Sequence, residues 1–165
     1  MKKILSLVLV GIFCLSIVGC GNNKNNKEIS EEDIIRVGDS AVGFIDLPRE
    51  VELKFGESGM FKAQMDDSDS NRQAYFIMEL GFGDSAEKLM QNILELNSNR
   101  EGETVIYSGP FTSKNVSGYK IIFHDNEFFT TKYMFETNGR LIYIFLYAND
   151  GDYWNDVIDT YRFER

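Results

Sequence analysis

The chain has 165 residues and a formal charge of −9, because 17 Lys and Arg residues stand against 26 Asp and Glu residues. An acidic chain repels the phosphates of nucleic acids and anionic lipid headgroups, so the charge argues against both as partners. No cysteine follows Cys20 in the sequence, which excludes a disulfide and cysteine catalysis from the chain beyond that residue.

The first 19 residues have the organisation of a secretion signal. Lys2 and Lys3 precede an apolar run from Ile4 to Val18, which ends at Gly19 and Cys20. A run of about 15 apolar residues is shorter than the roughly 20 that a membrane-spanning helix needs. The pattern therefore predicts a signal peptide over residues 1–19 rather than a retained membrane helix.

The segment Ile17-Val18-Gly19-Cys20 resembles the lipobox of bacterial lipoproteins. The resemblance implies that Cys20 receives a diacylglycerol on its thiol, becomes the first residue of the mature chain and holds it at the extracytoplasmic face of the cell membrane. Two acyl chains hold firmly, because each buried methylene contributes about 0.8 kcal/mol. An ordinary signal peptide with an incidental cysteine is the alternative.

Residues 20–33 are rich in Asn, Lys and Glu and contain almost nothing to bury, so they are predicted to form a flexible tether. A random coil of about 14 residues spans roughly 20 Å, which keeps the domain near the bilayer. Removal of Lys2 and Lys3 leaves 15 basic residues against 26 acidic ones, a formal charge of −11. Residues 34–165 are expected to form a single globular domain.

From about Ile34 onward, short apolar segments alternate with Gly, Asn and Asp, which predicts a β-rich domain. Asn138-Gly139 between two apolar runs favours a type I′ turn, so the last two strands should form an antiparallel hairpin. The predicted strands are Ala41 to Leu47, Glu50 to Phe55, Ala74 to Gly81, Thr104 to Thr112, Gly118 to His124, Phe128 to Glu136 and Leu141 to Ala148.

Two helices are predicted among these strands. Asp84, three residues before Glu87, is the expected N-cap of a helix that ends near Asn97. Its apolar residues at helical spacing are Ala86, Leu89, Met90, Ile93 and Leu96. A shorter helix is predicted from Asp150 or Asp152. It would present Trp154, Val157, Ile158 and Tyr161 on one side.

Both faces of the last two predicted strands are apolar, which indicates that the sheet is covered on two sides, one cover being the first helix. The order of the elements predicts an α+β fold with an antiparallel sheet of about seven strands flanked by helices.

The segment Val37-Gly38-Asp39-Ser40-Ala41-Val42-Gly43-Phe44-Ile45-Asp46-Leu47-Pro48 resembles the opening strand motif of PsbP-like domains. The succession of strands, the mid-chain helix, the aromatic hairpin and the terminal helix around Tyr153-Trp154 are similar too. The resemblance implies a seven-stranded antiparallel sheet in an α/β/α sandwich and a non-enzymatic accessory or binding domain. It implies no site residues and no cofactor.

Catalytic motifs are incomplete in this sequence. Ser85 and Lys88 match the S-x-x-K motif of penicillin-binding proteins, but the Lys-Thr-Gly strand that completes that site is absent, so both are predicted to be first-turn residues of a surface helix. His124 is the only histidine, whereas a typical zinc site needs three or four nitrogen or sulfur ligands. We expect no catalytic residue and interpret His124 as a strand-end side chain.

An acidic loop from Asp66 to Asn71 partly matches a calcium-binding motif. Asp67, Asp69 and Asn71 copy the first three ligand positions of an EF-hand loop. Arg72 stands where Gly is required, and Met78 where a bidentate Glu is required. The loop is interpreted as a solvated connection without a metal site, and the question of weak calcium binding stays open.

Aromatic residues are abundant, with 13 Phe, 8 Tyr and 1 Trp. Tyr107, Tyr153, Trp154 and Tyr161 are the candidates for a surface that faces a partner. The favoured hypothesis is a membrane-anchored, non-catalytic binding or accessory module that meets another extracytoplasmic protein and exposes an apolar patch. The alternatives are a small cell-envelope enzyme or ligand carrier with a concave pocket, and a calcium-dependent surface module.

Overall fold

The structure of the chain, a computed structural model, describes residues 33–67, 71–98 and 102–164. The predicted signal peptide, Cys20 and the predicted tether up to residue 32 lie outside the described residues, as does Asp69 of the acidic loop. Within the described ranges, no helix is both long enough and apolar enough to cross a membrane.

Nine strands and one helix make up the described chain. They are β1 (Ile34–Asp39), β2 (Gly43–Pro48), β3 (Glu52–Glu57), β4 (Met60–Asp67), β5 (Arg72–Leu80), α1 (Ala86–Asn97), β6 (Glu103–Thr112), β7 (Ser117–Asp125), β8 (Phe128–Thr137) and β9 (Arg140–Ala148), followed by one 3-10 turn, Val157–Thr160. The sequence prediction missed β1 and β4, and the other seven strands agree with it to within two residues.

Seven of the strands form one antiparallel sheet in the order β3-β4-β5-β9-β8-β7-β6, and β1 and β2 form a separate hairpin. The predicted seven-stranded sheet is therefore confirmed, but the predicted first strand, now β2, lies outside it. The predicted turn between β8 and β9 is also confirmed, since Asn138 and Gly139 have φ angles of 49° and 71° and Thr137 pairs with Arg140.

One face of the sheet, here called the inner face, packs against the β1–β2 hairpin and the C-terminal segment. Its largest buried side chains include Phe76 on β5, Ile144 on β9 and Phe135 on β8. The residues that close over them are Val37, Val42, Ile45, Leu47, Val51, Trp154, Val157, Ile158 and Tyr161. The core on this face is centred on β4, β5 and β9.

The opposite face, here called the helix face, packs against α1. Ile121, Phe123 and Met134 are buried beneath the helix together with its residue Ala86. The predicted cover of the sheet by this helix is confirmed. Leu96, predicted to be on the packed side, is 76% exposed, and Leu94 contacts the core instead.

The N-cap of α1 is Ser85, not Asp84 as predicted. Ser85 has extended φ and ψ angles of −160° and 161°, and its hydroxyl oxygen accepts a hydrogen bond from the Lys88 N–H at 3.2 Å. Asp84 instead pairs with the Lys88 ammonium at the surface. A serine hydroxyl next to the first helical residue satisfies a free N–H more directly than the preceding carboxylate does.

The second predicted helix is wrong, because tight turns occupy residues 149–156 and only Val157–Thr160 is helical, as a 3-10 turn. The N–H groups of Tyr153 and Asn155 donate to carbonyls three residues back, on Asp150 and Asp152. Asp156 has a φ angle of 62°, a left-handed conformation that an α-helix cannot contain. The sequence predicted helices on both faces of the sheet. In the structure, α1 covers one face, and the β1–β2 hairpin with the C-terminal segment covers the other.

The two elements that cover the sheet, α1 on the helix face and the β1–β2 hairpin on the inner face, are each narrower than the sheet. Seven strands at about 4.8 Å spacing are about 29 Å wide, whereas one helix with its side chains is about 10 Å wide. The α1 core lies over β7 and β8, and the hairpin core lies over β4, β5 and β9. The inner face is consequently open towards β6 and β7, and the helix face is open towards β4 and β5.

Candidate functional site

The open part of the inner face is a groove of about 530 Å³, here called the inner groove. Its floor comes from β7, β8 and β9, its outer wall is Ile106 on the edge strand β6, and its inner wall is the loop 150–156. The lining residues are Ile106, Lys120, Ile122, Phe129, Thr131, Tyr133, Leu146, Ala148, Asp150, Gly151, Asp152, Trp154, Asn155 and Asp156.

A bulge in β6 places Ile106 at the groove. Val105 pairs with Phe123 and Tyr107 pairs with Ile122, so Ile106 is an extra residue between two paired positions. A bulge of this kind redirects a side chain and increases the local twist. The Ile106 side chain is 55% exposed, which makes it the most accessible apolar part of the groove wall.

Three carboxylates, on Asp150, Asp152 and Asp156, form the rim of the inner groove. The Asp150 carboxylate accepts the Asp152 N–H at 3.0 Å, and the Asp152 carboxylate accepts the Asn155 amide at 2.9 Å. Among the described residues, no Lys or Arg side chain forms an ion pair with any of the three. The rim therefore carries negative charge that the described part of the chain does not compensate.

One cation lies in the same groove. The Lys120 ammonium is 5.1 Å from the centre of the Tyr107 ring, a cation–π arrangement at the β6 side. Burial, together with the nearby Asp159 carboxylate, raises the pKa of Tyr133 above its usual value. Tyr133 is therefore a neutral hydroxyl at physiological pH, and the field in the groove is dominated by carboxylates.

The loop that forms the inner wall is fixed to the sheet. The Trp154 indole N–H donates to the Tyr147 carbonyl at 3.0 Å, and its ring packs against Phe76 at 6.3 Å between centroids. Gly151 lies so close to Phe129 that a Cβ at this glycine would be 3.1 Å from the ring. These contacts fix the loop that carries the rim carboxylates against the sheet.

The open part of the helix face is a shallow depression of about 490 Å³ with aromatic side chains in its lining, here called the aromatic face. Tyr75 pairs with Tyr147 and Ile77 pairs with Phe145 across β5 and β9, so all four side chains share this face. The Tyr147 ring stacks on Phe128 at 4.5 Å with an interplanar angle of 13°. Burial and the carboxylates of Asp125 and Glu127 raise the pKa of Tyr147.

The four aromatic residues predicted to face a partner have different environments. Tyr161 is 1% exposed and Trp154 is 8% exposed, which corrects the expectation that these two rings are surface contacts, although Trp154 lines the groove from within the core. Tyr153 is half-buried between Trp154 and Arg72. Tyr107 is 38% exposed next to the groove, and its contact with a partner stays a prediction.

The side chains that partly match catalytic motifs make structural contacts. Ser85 and Lys88 are in the first turn of α1, as predicted, and each is engaged in the capping contacts described above. His124 lies near the end of β7, as predicted, with its ring 4.5 Å from Phe129. Within the described ranges, no three His, Cys, Asp or Glu side chains converge on a point where they could hold a metal ion.

The sequence pattern does not predict the inner groove. Its acidic rim is visible in Asn149-Asp150-Gly151-Asp152, but the same residues predict the start of a helix. Ile106 gave no signal at all, because its exposure depends on a bulge that the apolar pattern of the strand does not show.

Comparisons with known proteins identify the fold. No family model and no curated protein matches the chain. Among solved structures, the chain is similar to the solution structure of cyanobacterial PsbP (CyanoP) from a Synechocystis species. The TM-score is 0.50 and the identity 13%, and the similarity covers 88% of this chain and 98% of that one. The likeness supports a PsbP-like fold built on an antiparallel sheet, whereas the predicted α/β/α sandwich with helices on both sides is confirmed on the α1 side only.

Proposed function

We propose that this chain is a lipid-anchored, extracytoplasmic accessory module that binds another protein without catalysis. The observation that carries the proposal is the inner groove, a preformed depression with an apolar floor on a sheet that its own chain covers only in part. The PsbP-like fold supports it as an analogy, since the resemblance implies an accessory domain.

Contiguous apolar surface on a soluble domain is characteristic of an interaction site. In the inner groove, Ile106 is exposed at the wall, while Ile122 and Phe129 lie on the floor. Aromatic and aliphatic side chains surrounded by polar ones are the usual anatomy of a protein interface. A partner that fills the groove would remove this surface from water.

The composition of the groove favours binding over the alternative of a small envelope enzyme. A covalent active site of the Ser or Cys type needs its nucleophile within hydrogen-bond reach of a base. The lining contains no Ser, His or Cys among the described residues, and the raised pKa of Tyr133 keeps its hydroxyl protonated. The carboxylates of Asp150 and Asp152 accept hydrogen bonds within the loop.

The anchor is tested by replacing its cysteine. A Cys20→Ala chain is expected to lose acyl labelling and either to appear in the medium or to stay unprocessed. Cys14→Ala is the matched control, because this cysteine lies within the predicted signal peptide. Unchanged membrane retention of the Cys20→Ala chain, with normal processing, would show that the anchor is not on Cys20.

Protein binding is tested by photocrosslinking in intact cells. A photoreactive amino acid replaces Ile106 at the groove wall, and the same amino acid replaces Gln91, which is exposed on the outer side of α1, as the control. We expect a discrete protein adduct from position 106 that is absent from position 91. Equal or absent adducts at the two positions would contradict the proposed function.

A further inference from the structure

We infer that the inner groove receives an extended segment of the partner protein in which Lys or Arg alternates with small aliphatic residues. The inference rests on the proposed function and specifies the partner's chemistry at the same site. Three properties of the groove lead to it: the charge of its rim, its length and the apolar nature of its floor.

The negative charge of the rim favours a basic segment in the inner groove. The groove is lined by three carboxylates and one ammonium, that of Lys120, and no described Lys or Arg forms an ion pair with the rim. Complementary charge at a rim accelerates association and suppresses wrong partners. An acidic segment, or a second copy of this acidic chain, would bring like charges together at the groove.

The length of the inner groove fits a short extended segment. The lining runs across the strands from Ile106 on β6 to Ala148 on β9, where the strand order is β9-β8-β7-β6. Three strand spacings of about 4.8 Å give a path of about 14 Å. An extended chain advances about 3.3 Å per residue, so four to five residues fill the path.

The apolar floor of the inner groove favours a bound segment in which aliphatic and basic residues alternate. Successive side chains of an extended chain point to opposite sides, so every second residue faces the floor. Ile122 and the Phe129 ring, both partly exposed, offer that residue an apolar contact. The residues between them point outward, where the long stems of Lys or Arg bring their charges to the rim.

The rim is tested with a synthetic peptide, acetyl-Lys-Val-Lys-Val-Lys-amide, titrated into the full chain. We expect the triple variant Asp150→Asn, Asp152→Asn, Asp156→Asn to bind it at least about tenfold more weakly than the unchanged chain. Asn is chosen because it tolerates the positive φ angle of Asp156. Unchanged thermal unfolding of the triple variant confirms that it is folded.

A second triple variant provides the control for overall charge. Glu57→Gln, Glu87→Gln, Glu95→Gln removes the same number of exposed carboxylates away from the groove and should weaken binding less than about twofold. Ile106→Ser should weaken binding as well, because it removes apolar wall. Peptide binding that falls equally in both triple variants would show general charge attraction and overturn the inference.

Three other outcomes also overturn the inference. Equal binding of acetyl-Glu-Val-Glu-Val-Glu-amide would exclude charge selection. Displacement of the basic peptide by spermidine at the same concentration would identify a polyamine site, because spermidine has no side chain for the floor. If the Ile106 adduct in cells persists undiminished in the groove triple variant, the proposed function stands and this inference fails. If no adduct forms, the proposed function itself fails.

Discussion

Tyr161 connects the two layers of the inner face at a single residue. Its hydroxyl donates to the Val42 carbonyl at 2.8 Å, and its ring packs edge-on against Phe135 at 4.8 Å. Gly43 makes room for this contact, since a Cβ there would be 2.5 Å from the hydroxyl oxygen. The sequence predicted that Tyr161 shares a side with Trp154, Val157 and Ile158, but gave no sign of the buried acceptor.

Tyr161→Phe is therefore expected to lower the free energy of unfolding by about 1 to 3 kcal/mol, because it leaves a buried carbonyl without its donor. Tyr107→Phe is the matched control: its hydroxyl donates to the Pro110 carbonyl at an exposed position, and the loss should be below about 0.5 kcal/mol. Urea denaturation measures both. Equal effects would contradict the assigned role of the Tyr161 hydroxyl.

Asp46 binds the C-terminal segment to β2 through charge. Its carboxylate accepts hydrogen bonds from Arg162 at 2.9 and 3.0 Å and from the Arg36 Nε at 2.9 Å. Burial by itself would raise the pKa of Asp46, but the hydrogen bonds and charges of Arg162 and Arg36 outweigh it, and the pKa lies below its usual value.

A carboxyl whose pKa is lower in the folded state stabilises the fold above its unfolded pKa, about 3.9, and loses that contribution as the pH falls towards its folded value. Asp46→Asn should therefore destabilise the chain by about 1.5 to 3 kcal/mol at pH 7. The difference from the unchanged chain should shrink below about pH 4. Urea midpoints between pH 3 and pH 7 measure it, and a difference that does not vary with pH would contradict the ion-pair account.

Among the elements, α1 was predicted well, and its start provides a direct test of the corrected N-cap. Ser85→Ala should cost about 1 kcal/mol of unfolding free energy, because it removes the acceptor of the Lys88 N–H. Asp84→Ala breaks only an exposed ion pair and should cost clearly less than Ser85→Ala does. The reverse order of the two losses in thermal or urea unfolding would restore Asp84 as the N-cap.

The strands were predictable where both faces are apolar and less so elsewhere. β8 and β9 have apolar residues on both sides, because they lie at the centre of the sheet between two covers. β4 was missed because only Ala63 and Met65 of its eight residues are buried, beside exposed or half-buried polar ones. The terminal helix was wrongly predicted, because spacing alone does not reveal the left-handed backbone at Asp156.

Both edge strands contain a bulge, and this has a consequence for assembly. The register of β3 shifts between Leu53 and Phe55, and that of β6 shifts between Val105 and Tyr107. Irregular edges with charged residues oppose pairing with another sheet. Binding by a partner is thus expected on the open faces rather than by continuation of the sheet.

For the whole molecule, the sequence indicated the fold but not the site. Repeated short apolar segments and one capped helix predicted an antiparallel sheet of about seven strands, and six of the seven strands in the sheet were among those predicted. The inner groove combines residues from β6, β7, β8, β9 and the loop 150–156, five successive elements that meet only when the strands have paired. Its existence depends on the width of the covers relative to the sheet, a quantity that no local pattern encodes.

The most direct test of the central claim, that the inner groove is covered by a partner in the cell, is oxidative footprinting of the chain on intact cells and after purification. Ile106 should be labelled less on cells than in the purified chain. Phe82 and Leu96, 80% and 76% exposed and distant from the groove, should be labelled equally in both. Equal labelling of Ile106 on cells and in the purified chain would contradict the claim.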